Sequence, residues 1–388
     1  MKILLMGPGD SPHLGRTLRW LLGRGCEMVV TDYLPPEGFS SDACQYIRLP
    51  RMSTSFFKYL GGMRLAYRLG EWRAGWLRRL WQRVQPQVVN VQWVDLRAYH
   101  AAVADIHPLV LTVYGSDINN CFTDGAEPEY NRLIGKALAA ADRILVDAPD
   151  MITKCEELAG KKLPCELITL GVNTELFRPG YREEAAAWRR QLDIPADACV
   201  FLSQRFLRPL YRPDRILEAF ALALPTLPRE AKLVLRASTL TGQRDAEPLQ
   251  QQLRERADEL GISSAIRWLP RQTVNELPAV YAFADVIVNY PERDAFPVTF
   301  LEAAACERPV ISCRQPSYDG SFAEKYFRLV DPNDIHELAT AMVEAAGADP
   351  QQTAAKMADA RALMVREYDE AAIVDRLLAL YHELSGLA

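Results

Sequence analysis

The sequence has few of the residues on which several classes of protein depend. Its 388 residues include five histidines, and its eight cysteines contain no C-x-x-C pair, which argues against a zinc site or a disulfide framework and fits reduced thiols. No apolar run reaches transmembrane length, and the four apolar residues after Lys2 are too few for a signal peptide. The net charge of −5 argues against a general nucleic-acid binder. We therefore expect a globular, cytoplasmic protein that binds no nucleic acid.

Two α/β domains are predicted from the length and from the pattern of apolar residues. Two domains of about 170 to 200 residues are the natural division of a chain this long. Short apolar runs alternate with helical stretches, which is typical of doubly wound parallel sheets. The predicted strands cover residues 2–6, 26–31, 88–91, 109–114, 143–146, 199–203, 232–236, 266–269, 286–289 and 310–312. Apolar residues at helical spacing predict a last helix within residues 368–384.

Two carboxylates eight residues apart surround a predicted helix start in the second half. Asp294 lies in a loop after a predicted strand, and Glu302 lies about one turn inside a helix predicted to begin at Pro297. The backbone N–H groups between them, with the positive end of the helix dipole, form a seat for a diphosphate. One carboxylate is then placed to hold ribose hydroxyls and the other a sugar. A loop aspartate beside a partly buried helix carboxylate is the alternative interpretation of this spacing.

A second helix start, within residues 203–220, is preceded by positive charge. A diphosphate bound at such a helix start needs fixed cations or dipoles to stabilise its negative charge. Arg205, Arg208 and Arg212 offer such charges. An arginine fork can grip a diphosphate through two parallel hydrogen bonds. A solvated basic loop before a helix is the alternative.

These segments resemble the retaining family-four glycosyltransferases. Residues 294–311 read DAFPVTFLEAAACERPVI, similar to the family's E-x7-E element, which normally reads like EGFGLVLLEAMACGKPVI. Residues 203–220 resemble its GRLvpeKGvdlLieAF element, and residues 171–179 resemble its linker. The resemblance spans nearly the whole chain and implies an α/β GT-B fold, with two Rossmann-like domains facing across a cleft. It implies an acceptor domain at 1–170, a nucleotide-sugar domain at 171–365 and a helix at 366–388 that crosses back to the first domain.

The resemblance also implies roles for the acidic pair and for the helix start. Glu302 is expected to bind the donor ribose, and Asp294 the hydroxyls of the transferred sugar. The diphosphate is expected on the backbone of four consecutive residues, namely Phe296, Pro297, Val298 and Thr299.

Positive charge around the diphosphate is implied at several positions. Arg205 matches the family arginine. Tyr211 stands where the family has a lysine, so Arg208 or Arg212 is expected to supply the second charge. Arg271, after a predicted strand, is expected to border the base.

The first half carries a glycine loop that is not a dinucleotide fingerprint. Pro12 stands where G-x-G-x-x-G requires its third glycine, which argues against a dehydrogenase. By resemblance the loop that contains Gly9 lines the cleft, and His13 and Arg16 point toward acceptor or donor phosphate. His13 also fits an ordinary surface histidine. Residues 111–117 resemble the family's ltvHGsD, with Tyr114 in place of the histidine. Asp117 there is either an acceptor-positioning carboxylate or a helix cap.

Basic and aromatic residues are concentrated between residues 48 and 83. Nine basic residues stand against one acidic residue, Glu71. One face of a helix in this stretch is predicted to be apolar and comprises Leu65, Leu69, Trp72, Trp76 and Leu80. A basic arc beside that face comprises Arg64, Arg68, Arg78 and Arg79. This pattern is typical of an interfacial helix on an anionic membrane, and the alternative is a helix that packs its tryptophans into the first domain.

The sequence as a whole predicts a retaining glycosyltransferase. We expect it to move a sugar from a UDP- or GDP-sugar to a glycan or lipid-linked acceptor, in polysaccharide or glycolipid synthesis, in the cytoplasm or at the inner face of the cell membrane. Neither a D-x-D element nor a His/Cys cluster stands out, so no metal and no cofactor beyond the nucleotide sugar are expected. A catalytically weak nucleotide-sugar-binding protein and a nucleotide-sugar epimerase are the alternatives.

Overall fold

The chain forms two compact units. The computed structural model describes residues 1–36, 38, 42–50, 72–237 and 246–386. The first unit comprises Met1–Thr169 and Ile373–Ala388, and the second comprises Leu170–Ala372. Each unit is built around one parallel sheet.

The first unit contains a seven-stranded parallel sheet in the order β3-β2-β1-β4-β5-β6-β7. Its strands are β1 Lys2–Met6, β2 Glu27–Asp32, β3 Gln45–Arg48, β4 Val88–Gln92, β5 Leu109–Thr112, β6 Arg143–Val146 and β7 Cys165–Leu167. Five of these strands were predicted, because parallel strands buried on both faces are continuous apolar runs. The edge strands β3 and β7 were not predicted, since each is only partly buried and carries charged residues.

Helices alternate with strands along the first unit in the chain order expected of βαβ units. They are α1 Pro12–Gly23, α2 Trp72–Val84, α3 Leu96–Val103, α4 Ser116–Asn119, α5 Pro128–Ala140 and α6 Pro149–Ala159. Leu14, Leu18 and Leu21 of α1 are buried against the sheet, as their helical spacing predicted.

The second unit contains a six-stranded parallel sheet in the order β10-β9-β8-β11-β12-β13. Its strands are β8 Cys199–Ser203, β9 Ala231–Arg236, β10 Ile266–Leu269, β11 Val286–Asn289, β12 Val310–Cys313 and β13 Arg328–Val330. All but the edge strand β13 were predicted. The helices are α7 Arg182–Gln191, α8 Pro213–Ala223, α9 Ala246–Glu259, α10 Leu277–Phe283, α11 Val298–Ala305, α12 Phe322–Tyr326, α13 Ile335–Ala346 and α14 Pro350–Leu363.

The last helix, α15, runs from Glu370 to Ser385, and its residues from Ile373 onward belong to the first unit. Leu377, Leu380 and Tyr381 are buried in the apolar core that β1 and α1 form. The predicted helical spacing near the end of the chain therefore reflects a helix that covers the first sheet.

Helix α2 differs from the amphipathic helix that the sequence predicts. Trp72 is 43% exposed, whereas Leu77 and Leu80 are buried. Of the predicted apolar face, Leu80 therefore packs inward, whereas Trp72 does not. The predicted members Arg64, Leu65, Arg68 and Leu69 lie outside the described residues. Among the helices that the structure describes, none is long and apolar enough to cross a membrane.

Candidate active site

The carboxyl edge of the second sheet gathers the predicted donor residues. Loops after β8 and β11 and the start of α11 all meet at this edge, where parallel α/β sheets bind their ligands. Helix α11 begins at Val298, with Pro297 as its N-cap residue. The prediction that Pro297 is the first helical residue is therefore wrong by one position. The Pro297 carbonyl accepts the first hydrogen bond of the helix, from the Phe300 N–H at 3.0 Å.

Arg205 and Asp294 form a buried ion pair in this site. Arg205 follows β8 and Asp294 follows β11, and each guanidinium Nη lies 3.0 Å from a separate carboxylate oxygen. The two side chains are only 14% and 10% exposed. Burial, the largest single effect, disfavours the charged arginine, but Asp294 together with Tyr211 and Tyr318 raises the pKa of Arg205 above its ordinary value. Arg205 is thus a permanent cation with its fork held by Asp294.

Two tyrosines fix this ion pair in place. The Tyr318 hydroxyl donates to Asp294 Oδ2 at 3.1 Å, and the Tyr211 ring lies under the Arg205 guanidinium, with the ring centroid 4.0 Å from Cζ. Tyr211 therefore makes a cation–π contact at the position where the resemblance implies a lysine. Its ring orients a cation instead of supplying one.

Glu302 lies one turn into α11, as predicted, and contacts two residues that sequence reasoning did not select. The Tyr281 hydroxyl of α10 donates to Glu302 Oε2 at 2.6 Å. Arg236, the last residue of β9, interacts electrostatically with both Tyr281 and Glu302. Its guanidinium also lies 4.1 Å from the ring centroid of Phe206. The position of Arg236 at the carboxyl end of a predicted strand was the only sequence signal for it.

The other predicted cations are placed less closely to the acidic pair. Arg212 has a positive φ of 45° and donates to the Pro332 carbonyl at 2.7 Å. It lines a separate cavity of about 220 Å³ with Arg215 and Tyr290. Arg208 is half-buried at the start of the turn that carries Tyr211, and Arg271 is exposed after β10. Of the predicted arginines, the structure therefore joins only Arg205 to the acidic pair through a described contact.

The loop predicted to bind the diphosphate packs on a cluster of aromatic side chains. Phe296 is buried against Phe300, Tyr318 and Phe322, so its side chain serves packing and only its backbone is available to a ligand. This cluster fixes the loop that leads into α11. The first turn of the helix, with Val298 and Thr299, follows directly.

The glycine loop of the first unit is held by a buried charge network. The Gly9 N–H donates to Asp32 Oδ2 at 2.9 Å, and Asp32 Oδ1 pairs with Arg97 at 2.6 Å. Arg97 also pairs with Asp95 at 2.6 Å. A Cβ atom at Gly9 would meet the backbone carbonyls of residues 34 and 35. The position therefore requires glycine for close packing, and Asp32 serves the loop.

His13 and Tyr114 stack on each other beside this loop. Their ring centroids are 4.6 Å apart with an interplanar angle of 17°, and the Tyr114 hydroxyl donates to Gln92 Oε1 at 2.9 Å. Burial, with a smaller effect of Arg16, lowers the pKa of His13 to about 4. His13 is therefore neutral at pH 7 and can act there only through hydrogen bonds.

The carboxylate of Asp117 is hydrogen-bonded to the protein backbone. Its carboxylate accepts hydrogen bonds from the N–H groups of Val94, Tyr114 and Ile118 at 2.9 to 3.2 Å. Burial raises its pKa to about 6, against the effect of these bonds. The helix-cap interpretation is wrong, because Gly115 is the N-cap residue of α4 and Asp117 lies inside that helix. The carboxylate instead joins the turns that follow β4 and β5, and its acceptor-positioning role stays a prediction.

Family comparisons agree with both halves of this architecture. The family described as Glycosyl transferases group 1 matches residues 184–364, and Glycosyl transferase 4-like matches residues 2–148. Together the two family models match most of the chain, and both describe glycosyltransferases. Within the described residues, no group of three or more His, Cys, Asp or Glu side chains is placed to hold a metal ion.

Individual relatives are similar to this chain over different shares of its length. The D-inositol 3-phosphate glycosyltransferase of Saccharomonospora viridis is 32% identical over 237 residues, which cover 59% of this chain and 53% of that protein. The protein of the same name from Corynebacterium urealyticum is 28% identical over 375 residues, 94% and 82% of the two chains. This chain thus spans about half the length of the first relative and most of the second.

The crystal structure of Anabaena HepE with UDP shares the fold. Its TM-score is 0.74 at 16% identity, and the match covers 99% of this chain and 100% of HepE. The α/β GT-B fold class, with two Rossmann-like domains, is confirmed.

Proposed function

We propose that this protein transfers a sugar from a UDP-sugar to an acceptor hydroxyl with retention of configuration. The observation that carries the proposal is the arrangement at the start of α11, where the Arg205–Asp294 pair and Glu302 flank a helix N-terminus. HepE, which shares the fold, has been crystallised with UDP and with UDP-glucose, and this supports uracil as the donor base.

Each group at this edge has a role in the proposed reaction. Glu302 accepts hydrogen bonds from the ribose hydroxyls, and the first turn of α11 receives the diphosphate. Asp294, fixed by Arg205 and Tyr318, orients the hydroxyls of the sugar. Arg205 also stabilises the negative charge that develops on the leaving phosphate.

One bond breaks and one bond forms at the anomeric carbon of the donor sugar. The bond from the anomeric carbon to the β-phosphate oxygen breaks, and the acceptor oxygen bonds to that carbon on the same face. The acceptor proton passes to the leaving phosphate, so UDP departs without a separate base. The arginines and the helix dipole supply the positive charge, and we propose that no metal ion takes part. Full activity after dialysis against EDTA is the expected result.

The acceptor is proposed to bind the first unit, beside His13 and Tyr114. A glycan or a lipid-linked saccharide is the proposed class, since a neutral, stacked pair of rings suits uncharged hydroxyl groups. The relatives named as D-inositol 3-phosphate glycosyltransferases add an inositol phosphate as a second candidate. Surface polysaccharide or glycolipid synthesis is the proposed context.

The experiment is incubation with UDP-[13C]glucose and a panel of glycan, lipid-linked and inositol phosphate acceptors. NMR of the product should show an α-linked glucosyl group, which is retention. A donor that is bound and returned intact, neither transferred nor hydrolysed, would instead indicate the weakly catalytic binding protein. A donor epimerised without acceptor would indicate the epimerase.

Peripheral membrane contact stays a proposal that rests on the basic stretch at residues 48–83. Arg79 and Arg83 are exposed on α2, and Trp72 is exposed at its start. We expect co-sedimentation with anionic vesicles that weakens in an Arg79→Glu/Arg83→Glu variant. Equal recovery of the two proteins with the vesicles would contradict the proposal.

A further inference from the structure

Two buried carboxamides lie at the carboxyl edge of the second sheet. Gln204 directly follows β8 and is 4% exposed, and Gln272 lies shortly after β10 and is 7% exposed. Within the part of the chain that the structure describes, neither the Nε2 nor the Oε1 atom of either side chain has a hydrogen-bond partner. A buried polar group without a partner is costly. Such a pair at a ligand-binding edge indicates that the partners are supplied by a bound molecule.

Their position relative to Glu302 identifies the part of the donor that they meet. Strand order β10-β9-β8 places Arg236, at the end of β9, between the two carboxamides. Arg236 Nη1 donates to the Gln204 carbonyl at 3.4 Å. Arg236 also interacts electrostatically with Glu302 and with Arg271, the residue before Gln272. The sites therefore follow one another from Glu302, the proposed ribose ligand, past Arg236, to Gln272 in the loop after the outer strand β10.

The chemistry of a carboxamide excludes the diphosphate as its partner. Phosphate oxygens only accept hydrogen bonds at neutral pH, so they would satisfy Nε2 and leave each buried Oε1 unpaired. Ribose hydroxyls and the edges of a base offer donors and acceptors together. Uracil presents an N–H next to a carbonyl oxygen, which matches the N–H and C=O of one glutamine side chain.

We propose that Gln204 and Gln272 bind the nucleoside of the donor, with Gln272 paired to the uracil edge and Gln204 to the ribose. Oε1 of Gln272 accepts from the uracil N3–H, and Nε2 donates to the adjacent carbonyl. This assignment rests on the proposed UDP-sugar donor. It makes Gln272 a specificity-determining residue in the loop after the outer strand β10, where sequence reasoning placed only Arg271.

The test compares Gln272→Met and Gln204→Met with the wild type and with Gln251→Met, a control at an exposed position on α9. Methionine has a similar length and no hydrogen-bonding amide. We expect unchanged or higher melting temperatures without ligand, because an unpaired carboxamide is removed. The dissociation constant for UDP, measured calorimetrically, should rise about 10- to 100-fold in both variants. Binding of pyrophosphate, which has neither base nor ribose, should not change.

Three results would overturn the proposal. A lower melting temperature with unchanged UDP affinity would show that the carboxamides have partners inside the protein. Unchanged stability and unchanged UDP affinity would show that they do not meet the nucleoside. An equal loss of UDP and pyrophosphate binding would place them at the diphosphate. Absence of UDP binding by the wild type is a different outcome, since it would contradict the proposed donor itself.

Discussion

The two sheets have similar architecture, but their carboxyl edges carry charge differently. In the second unit, Arg205, Asp294, Glu302 and Arg236 meet around the start of α11. In the first unit, Asp32 binds the glycine loop and Arg97, and the candidate acceptor site presents the neutral His13–Tyr114 stack. The charged residues of the second unit suit an anionic diphosphate. The charged Asp32 of the first unit instead binds the backbone of the glycine loop. The loops, more than the fold, therefore define the function of each unit.

The largest expected effect comes from breaking the ion pair of the second unit. Arg205→Ala leaves Asp294 buried without its partner, so we expect a loss of about 3–5 kcal/mol in the free energy of unfolding. Arg205→Ala/Asp294→Ala should recover part of this loss, because no unpaired charge remains. Urea unfolding of both variants measures the difference. If Arg205→Ala lost no more stability than an exposed ion pair contributes, Arg205 and Asp294 would not be structurally coupled.

A second test addresses the donor carboxylate itself. Glu302→Gln keeps the size of the side chain and removes its charge, so kcat/KM for a UDP-sugar should fall about 10- to 100-fold, as for a lost charged hydrogen bond. The control is Glu184→Gln on the exposed face of α7, which should retain the wild-type rate. Equal rates in the two variants would remove Glu302 from the site.

A third prediction tests how closely the glycine loop of the first unit is packed. Gly9→Ala places a methyl group against the carbonyls of residues 34 and 35, and overpacking of this kind costs about 1–3 kcal/mol. Gly23→Ala, at the end of α1, meets no atom within 4 Å and should stabilise the helix by about 0.5–1 kcal/mol. Opposite signs in thermal unfolding are expected. A harmless Gly9→Ala would mean that the loop is not held as described.

The smallest expected effect concerns pH. The lowered pKa of His13, about 4 in the folded protein, means that the unfolded chain binds a proton first as pH falls below about 6.5. The stability associated with neutral His13 is therefore complete above that pH and is lost toward pH 4.

His13→Phe keeps a ring against Tyr114 and removes this titration, so its melting temperature should fall less than that of the wild type between pH 7 and pH 5. The raised pKa of Asp117 acts in the opposite direction and is common to both proteins, so it cancels. Parallel pH profiles would contradict the lowered pKa of His13.

Most of the fold could be predicted because its central strands are continuous apolar runs. Strands β8, β10 and β11 were predicted with the bounds that the structure shows, whereas the edge strands β3, β7 and β13 were not predicted. Asp294, Glu302 and Arg205 could be placed from their spacing around helix starts and from the family resemblance. The partners of these residues could not, since Tyr281 and Arg236 reach Glu302 only through the tertiary packing of α10 and β9. Gln204 and Gln272 have no distinguishing sequence pattern, because only their burial without partners identifies them.

The central claim is that the second unit binds a uridine diphosphate donor through Glu302 at the start of α11. Thermal unfolding of the wild type and of Glu302→Gln, each with saturating UDP, GDP or ADP, tests it most directly, because a ligand that binds only the folded protein raises the melting temperature. We predict a clear increase for the wild type with UDP, smaller increases with GDP and ADP, and a smaller UDP effect in Glu302→Gln. Equal UDP stabilisation of both proteins, or none of the wild type, would contradict the account.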